Sequence, residues 1–177
     1  MHVTLIIAQS LDGRITNGDD LDISKWTSTE DKEFFQKYLE KSECIIVGRK
    51  TYELVKNSMK HIEGRLRIVL SRNPEEFAGE SIPGLLEFSN LTPQELCKSL
   101  RDRGITKATL VTGGSINADF FNADCVDEII TTVEPYVFSC GLPMVTQLNN
   151  SISLKLESYE KVNEQGTLVL KYQVLHT

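Results

Sequence analysis

No stretch of this 177-residue chain is apolar enough to span a bilayer. Runs such as Leu5–Ala8 fall far short of the ~20 residues a membrane helix requires. No two of the four cysteines (Cys44, Cys97, Cys125 and Cys140) form a C-x-x-C pair, which excludes a zinc ribbon or a thioredoxin-type motif. Cys44 and Cys125 adjoin apolar stretches and are expected to be small buried hydrophobes in a reducing cytosol. Histidine is scarce: His2, His61 and His176 stand at no metal-ligand spacing, so no metal is expected. Positive charge is also in deficit. Nineteen Lys and Arg face 25 Asp and Glu, a net charge of −6, which disfavours nucleic acid and anionic membrane as partners. The Met-His-Val-Thr start has no basic n-region, so a cytoplasmic protein is expected. No linker or repeat divides the chain, and a single domain over 1–177 is expected.

Short apolar strands alternate with helical segments. Strands are expected at Val3–Gln9, Cys44–Val47, Leu66–Leu70, Leu85–Phe88, Ala108–Val111 and Val126–Val133. Helices are expected at Glu30–Leu39, Thr51–Met59 and Ser115–Asn122, and from the Thr92-Pro93-Gln94-Glu95 capping signal to about Arg103. Asn73–Gly84 reads as a loop. The tail changes to period-two strands, Ser153–Val162 and Thr167–Leu175, around Gly166. The pattern is α/β: a mixed, mostly parallel sheet with helices on both faces and a C-terminal antiparallel hairpin. In such sheets ligands gather beyond the carboxyl ends of the strands.

Three motifs fall at those ends. Thr112-Gly113-Gly114-Ser115 joins a strand to a helix, where glycines let backbone approach a phosphate and the helix N-terminus offers free amides. Its plainer reading is a tight turn. Gly48-Arg49-Lys50-Thr51 repeats the arrangement with two cations, and Thr51 is a candidate cap. Leu70-Ser71-Arg72 ends a third strand in a hydroxyl and a cation. Together they suggest an extended anionic cofactor across several strand tips.

Two further constellations carry acids. Trp26 and Asp31 stand near a helix start followed by Phe34-Phe35. An acid desolvated there gains proton-donating character, which the helix dipole opposes. Its plainer reading is an exposed helix-start carboxylate. Asp12, in Ser10-Leu11-Asp12-Gly13, is first a turn residue. The cluster Asp124, Asp127 and Glu128 reads as the solvated flank of a strand.

Four segments, in order, resemble the dihydrofolate reductase superfamily, and within it the reductase domain of riboflavin biosynthesis. They are Ala8–Ile15 (AQSLDGRI), Ile45–Glu53 (IIVGRKTYE), Leu110–Ile116 (LVTGGSI) and Val126–Pro143 (VDEIITTVEPYVFSCGLP). The resemblance implies a three-layer dihydrofolate-reductase-like fold, NADPH as cofactor and a homodimer. It implies that Ala8 and Ile15 flank the nicotinamide. Gly48, Arg49, Lys50, Thr51, Ser71 and Arg72 would hold the adenosine side and its 2′-phosphate. Gly113, Gly114, Ser115 and Ile116 would face the pyrophosphate, with a cis Gly113–Gly114 bond. The substrate would be a small heterocycle, a ribosylamino-pyrimidine phosphate reduced at an imine-like carbon. Asp31 is then the candidate proton donor, with Asp12 and Glu134 in reserve. Trp26, Asp31, Phe35, Arg65 (for a folate carboxylate) and Thr131 (supporting the acid) also match the pterin pocket of dihydrofolate reductases, which keeps a dihydrofolate or pterin reductase open. Lys32, where that pocket prefers an apolar residue, keeps open a non-catalytic nucleotide-binding scaffold. No deaminase zinc motif precedes the domain, so a free-standing reductase is expected.

Overall fold

The computed structural model describes residues 1–176. Eight strands form one sheet: β1 (His2–Ser10), β2 (Cys44–Gly48), β3 (Leu66–Leu70), β4 (Leu86–Ser89), β5 (Lys107–Val111), β6 (Glu128–Glu134), β7 (Ser153–Lys161) and β8 (Leu168–Leu175). Their order is β4-β3-β2-β5-β1-β6-β8-β7. The first six in that order are mutually parallel, and β8 and β7 add an antiparallel hairpin at one edge. Central strand β2, Cys-Ile-Ile-Val-Gly, is buried at every residue, as a parallel strand covered on both faces requires.

Four helices supply that cover: α1 (Thr29–Leu39), α2 (Arg49–Val55), α3 (Pro93–Asp102) and α4 (Gly114–Asn122). On one face, Phe34, Phe35 and Tyr38 of α1 pack on Ile6, Ile130 and Val169, while Tyr52 of α2 joins Ile45, Val47 and Val69. On the other, Leu96 and Leu100 of α3 and Phe120 and Phe121 of α4 meet Val3, Leu5, Ile46, Ile68 and Ile129. Burying each such side chain is worth ~1.5–3 kcal/mol, so these two layers outweigh any surface ion pair. No described helix is long and apolar enough to cross a membrane.

Several expectations shift. Helix α2 begins at Arg49 and ends at Val55, not Met59, so Gly48 is its cap residue and Thr51 sits inside the first turn. The 73–84 segment contains a 3-10 helix, Pro74–Glu80, which buries Phe77 against Tyr52. The expected capping box of α3 is present, with Thr92 and Glu95 bonded reciprocally. Cys44 and Cys97 are the buried thiols, both pushed up to about 12 by burial, while Cys125 is half-buried. His176 folds back onto the acidic cluster, its Nδ1 2.6 Å from Asp124 and its Nε2 3.5 Å from Asp127. The Asp127 carboxylate also accepts the Val3 amide at 2.7 Å and so pins β1.

Candidate active site

Because β3, β2, β5, β1 and β6 are parallel and consecutive in the sheet, their carboxyl ends share one edge. Gly48 stands opposite Leu70, Val47 opposite Val111, and Ser10 opposite Glu134. Ser71-Arg72, Gly48–Thr51, Gly113–Ile116 and the Ser10–Ile15 turn therefore follow one another along that edge. From β3 to β1 the tips span about 14 Å, three inter-strand spacings.

The glycines have different tasks. A Cβ on Gly114 would collide with the Pro143 carbonyl and lie 3.3 Å from Thr146 Cγ2, so this glycine admits the 143–146 segment. A Cβ on Gly113 would meet nothing within 4 Å, which leaves its backbone open to a ligand. Gly48 gives room to Ile116, whose Cδ1 would lie 2.9 Å from a Cβ there. That contact couples the start of α4 to the end of β2. The expected cis bond is not found: Gly113–Gly114 is trans, and Gly113 has φ −89° and ψ 170° as the cap of α4. An extended cap residue turns the chain into the helix here without isomerising the bond.

The cations at the tips are exposed. Arg49 donates to Glu53 at 3.1 Å on its own helix. Lys50 beside it is exposed, and Arg72 makes no hydrogen bond or ion pair with any described residue. Ser71, half-buried, accepts the Asn73 amide through its hydroxyl. Ala8 and Ile15 are both buried below the strand tips, and Ile15 donates its amide to the Leu142 carbonyl.

Asp31 lies in the first turn of α1 and is 7% exposed. Its amide donates to the Ser28 hydroxyl, the cap of the helix, at 3.2 Å. Burial pushes its carboxyl above the ordinary value; a hydrogen bond with Thr132 opposes the rise, and the Glu134 charge adds to it. The pterin-pocket resemblance points to Thr131 as the support of this acid, yet the period of two along β6 turns that residue to the opposite face, where its hydroxyl is buried without a partner. Ile130, Thr132 and Glu134 face α1 instead. Alternation alone, anchored on Glu134, would have found Thr132.

Glu134 is 1% exposed and both of its oxygens are taken: Oε1 accepts the Ser28 amide at 2.6 Å and Oε2 the Thr167 hydroxyl at 2.7 Å. Two of its roughly four lone-pair sites are thus engaged, and it borders the cavity beside Trp26. Asp12 is likewise committed. Its carboxylate accepts from the Ser10 hydroxyl (2.6 Å) and from the Phe138 and Ser139 amides (3.0 and 3.2 Å). Those bonds, Ser10 first, hold it below the ordinary carboxylate range. It is a clasp between two loops and a poor proton donor.

Trp26 is buried, its ring centroid 5.1 Å from that of Phe138 and nearly perpendicular to it, with its indole N–H unpartnered. A buried donor left unpaired costs ~1–3 kcal/mol. Beside it opens a cavity of about 560 Å³, lined by Trp26, Ser28, Glu134, Tyr136 and the β7–β8 turn. Phe35, half-buried, packs under α1 against the sheet. Arg65 is excluded from this region. It precedes β3 at the opposite edge of the sheet and donates to the Glu40 carbonyl at 3.3 Å, just past the end of α1.

This architecture, an eight-stranded, mostly parallel sheet between helices with an antiparallel C-terminal pair, is the dihydrofolate-reductase-like fold. Dihydrofolate reductase from Enterococcus faecalis, solved with NADP(H), superposes with a TM-score of 0.68 at 19% identity, covering 98% of this chain and 96% of that one. A riboflavin biosynthesis protein of Shewanella sp. PV-4, named as putative, superposes at 0.78 with 22% identity over 99% and 100% of the two chains. The RibD C-terminal domain model matches residues 1–168, and the chain belongs to that family. Among curated sequences it is similar to YwjB of Bacillus subtilis, an uncharacterized protein, 26% identical over 90% of this chain and 91% of that one.

Proposed function

We propose that this chain is an NADPH-dependent reductase of the riboflavin-pathway type, acting on a ribosylamino-pyrimidine phosphate. The observation that carries the reading is Asp31: a buried acid raised towards proton-donating character, beside β1 at the edge where the glycine and cation motifs line up. NADPH, when bound, supplies the hydride. Gly113, open to a ligand, and the first amides of α4 would bind its pyrophosphate, with Ser115 and Ile116 in that first turn. Arg49, Lys50 and Arg72, with Thr51 and Ser71, would hold the adenosine end. These cations suit a 2′-phosphate, whereas a free 2′-hydroxyl calls for an acid. Asp31 would give its proton to the nitrogen of the imine-like bond, and the buried Trp26 N–H would meet an acceptor on the ring. The four free thiols fit the reducing cytosol expected for such an enzyme.

The test is oxidation of NADPH by the pure protein with the deaminated pyrimidine intermediate. Steady turnover is expected; bound NADPH without turnover rejects the substrate. A pterin reductase remains the second reading because Trp26 and Asp31 are both buried as such a pocket needs. Arg65, at the far end of α1 from Asp31, would be the partner of a folate tail, and tight binding of methotrexate would favour this reading. A scaffold without catalysis would show no loss of any measured activity in Asp31→Asn.

The adenosine assignment has its own check. Arg72→Ala and Arg49→Ala are each expected to cost ~1.5–3 kcal/mol of NADPH affinity and little of NADH affinity. Arg72 should matter more, since Glu53 already competes for Arg49. Equal losses for both nucleotides would reject the role.

The reading also includes a homodimer. All nine residues of edge strand β7 are exposed. Leu154, Leu156 and Tyr159 stand opposite Val174, Tyr172 and Leu170 on one face, the bulge after Leu156 restoring the alternation. An edge of this kind invites a second copy. Light scattering should give twice the chain mass, and Leu156→Lys should return it to one; a monomeric parent protein ends the proposal.

A further inference from the structure

Two buried acids meet at a single residue. Ser28 gives its amide to Glu134 at the end of β6, and its hydroxyl receives the amide of Asp31 one turn into α1. Glu134 is thereby tied to three elements at once: β6 by its own backbone, α1 through Ser28, and the β7–β8 turn through Thr167. Both of its oxygens accept, one from N–H and one from O–H, which is the bonding of an ionised carboxylate. The groups facing Asp31 are few. Thr132 and Glu134 approach from β6; Lys32 adjoins it on its own helix, but its ammonium is drawn to the Ser24 carbonyl at 2.8 Å. Lys25, which lines the cavity beside Trp26, is held by Asp20 at 2.6 Å. Glu134 is therefore the carboxylate whose charge Asp31 meets without a nearby unengaged cation between them.

We propose that Glu134 is the positioning residue of the site: through the Ser28 amide it fixes the helix cap on which Asp31 turns, and so the place of that carboxyl. This rests on the reading of Asp31 as proton donor. The Glu134 charge also disfavours ionisation of Asp31, a smaller effect than that of burial.

The experiment follows the Asp31 carboxyl by carbon-13 NMR through a pH titration, in the parent protein and in Glu134→Gln. Removing the charge while keeping the side-chain shape should lower the Asp31 midpoint measurably. Where the pyrimidine is turned over, the alkaline limb of kcat/KM should move down by the same amount, with NADPH affinity unchanged. A general loss of packing would move affinity and kcat without moving that limb. An unmoved Asp31 midpoint overturns the positioning role, whatever the substrate. A lowered midpoint without any turnover leaves the role standing and rejects the pyrimidine instead. Should Glu134→Gln fail to fold, Glu134→Asp decides: the shorter carboxylate draws back from the Ser28 amide and should also move the Asp31 midpoint, and an unmoved midpoint overturns the proposal.

Discussion

Asp31→Asn is expected to lower kcat/KM for reduction by roughly 10²- to 10⁴-fold, the usual weight of a positioned general acid, with NADPH affinity retained. The amide keeps the size of the acid and its place above Ser28 but has no proton of comparable acidity to give. The same substitution should make the protein more stable at neutral pH. A carboxyl raised in the folded state binds its proton more tightly there than in the unfolded chain. Folding is therefore favoured by acid, and that contribution is lost as pH climbs from the ordinary 3.8 through the raised value. Asparagine has no such loss. Melting temperatures at pH 5 and pH 8 should thus fall less with pH in the variant than in the parent. Slower catalysis with higher stability would show that a buried acid is kept for chemistry at a cost to the fold. Equal activity in both proteins would remove Asp31 from the mechanism.

Gly114→Ala is expected to be the most damaging single-methyl change at the strand tips. Alanine in a helix is ordinarily worth up to ~1 kcal/mol over glycine, so propensity alone forecasts a gain. Here the methyl would enter the Pro143 carbonyl and press on Thr146. Overpacking of that sort costs ~1–3 kcal/mol, and backbone on the far side yields less readily than a side chain, so the steric term wins. At ~2–4 °C per kcal/mol for a chain of this size, the melting temperature should fall by several degrees. The 143–146 segment should also move, weakening NADPH. Gly113→Ala is the contrast, one residue away. Its φ of −89° suits any residue and its methyl points into open space, so stability should hold. Only NADPH affinity should drop, because the methyl stands where the phosphates would approach. Thermal melts with a fluorescence titration of NADPH separate the two. If Gly113→Ala binds NADPH as well as the parent, the pyrophosphate is not at that turn.

Much of this molecule can be read one segment at a time. Apolar strands of four to eight residues, a capping signal at Thr92, glycine turns and a period-two tail each depend on neighbours close in the chain. Element order and type therefore follow from local chemistry, and so do the three strand-end motifs. The helix limits that were missed, at Arg49 and Val55, are those with no side-chain cap to mark them. Which acid is free for chemistry depends instead on partners 33 to 127 residues away along the chain. Asp12 looks available until Phe138 and Ser139 occupy it; Glu134 does until Ser28 and Thr167 do. Arg65 matches a pocket residue, and the fold places it at the start of β3, against the far end of α1 from Asp31. Sequence spacing records distance along the chain, whereas a carboxylate's protonation and reach are set by what surrounds it in space. Only the folded sheet, by bringing β1 beside β6 and α1 over both, singles out Asp31.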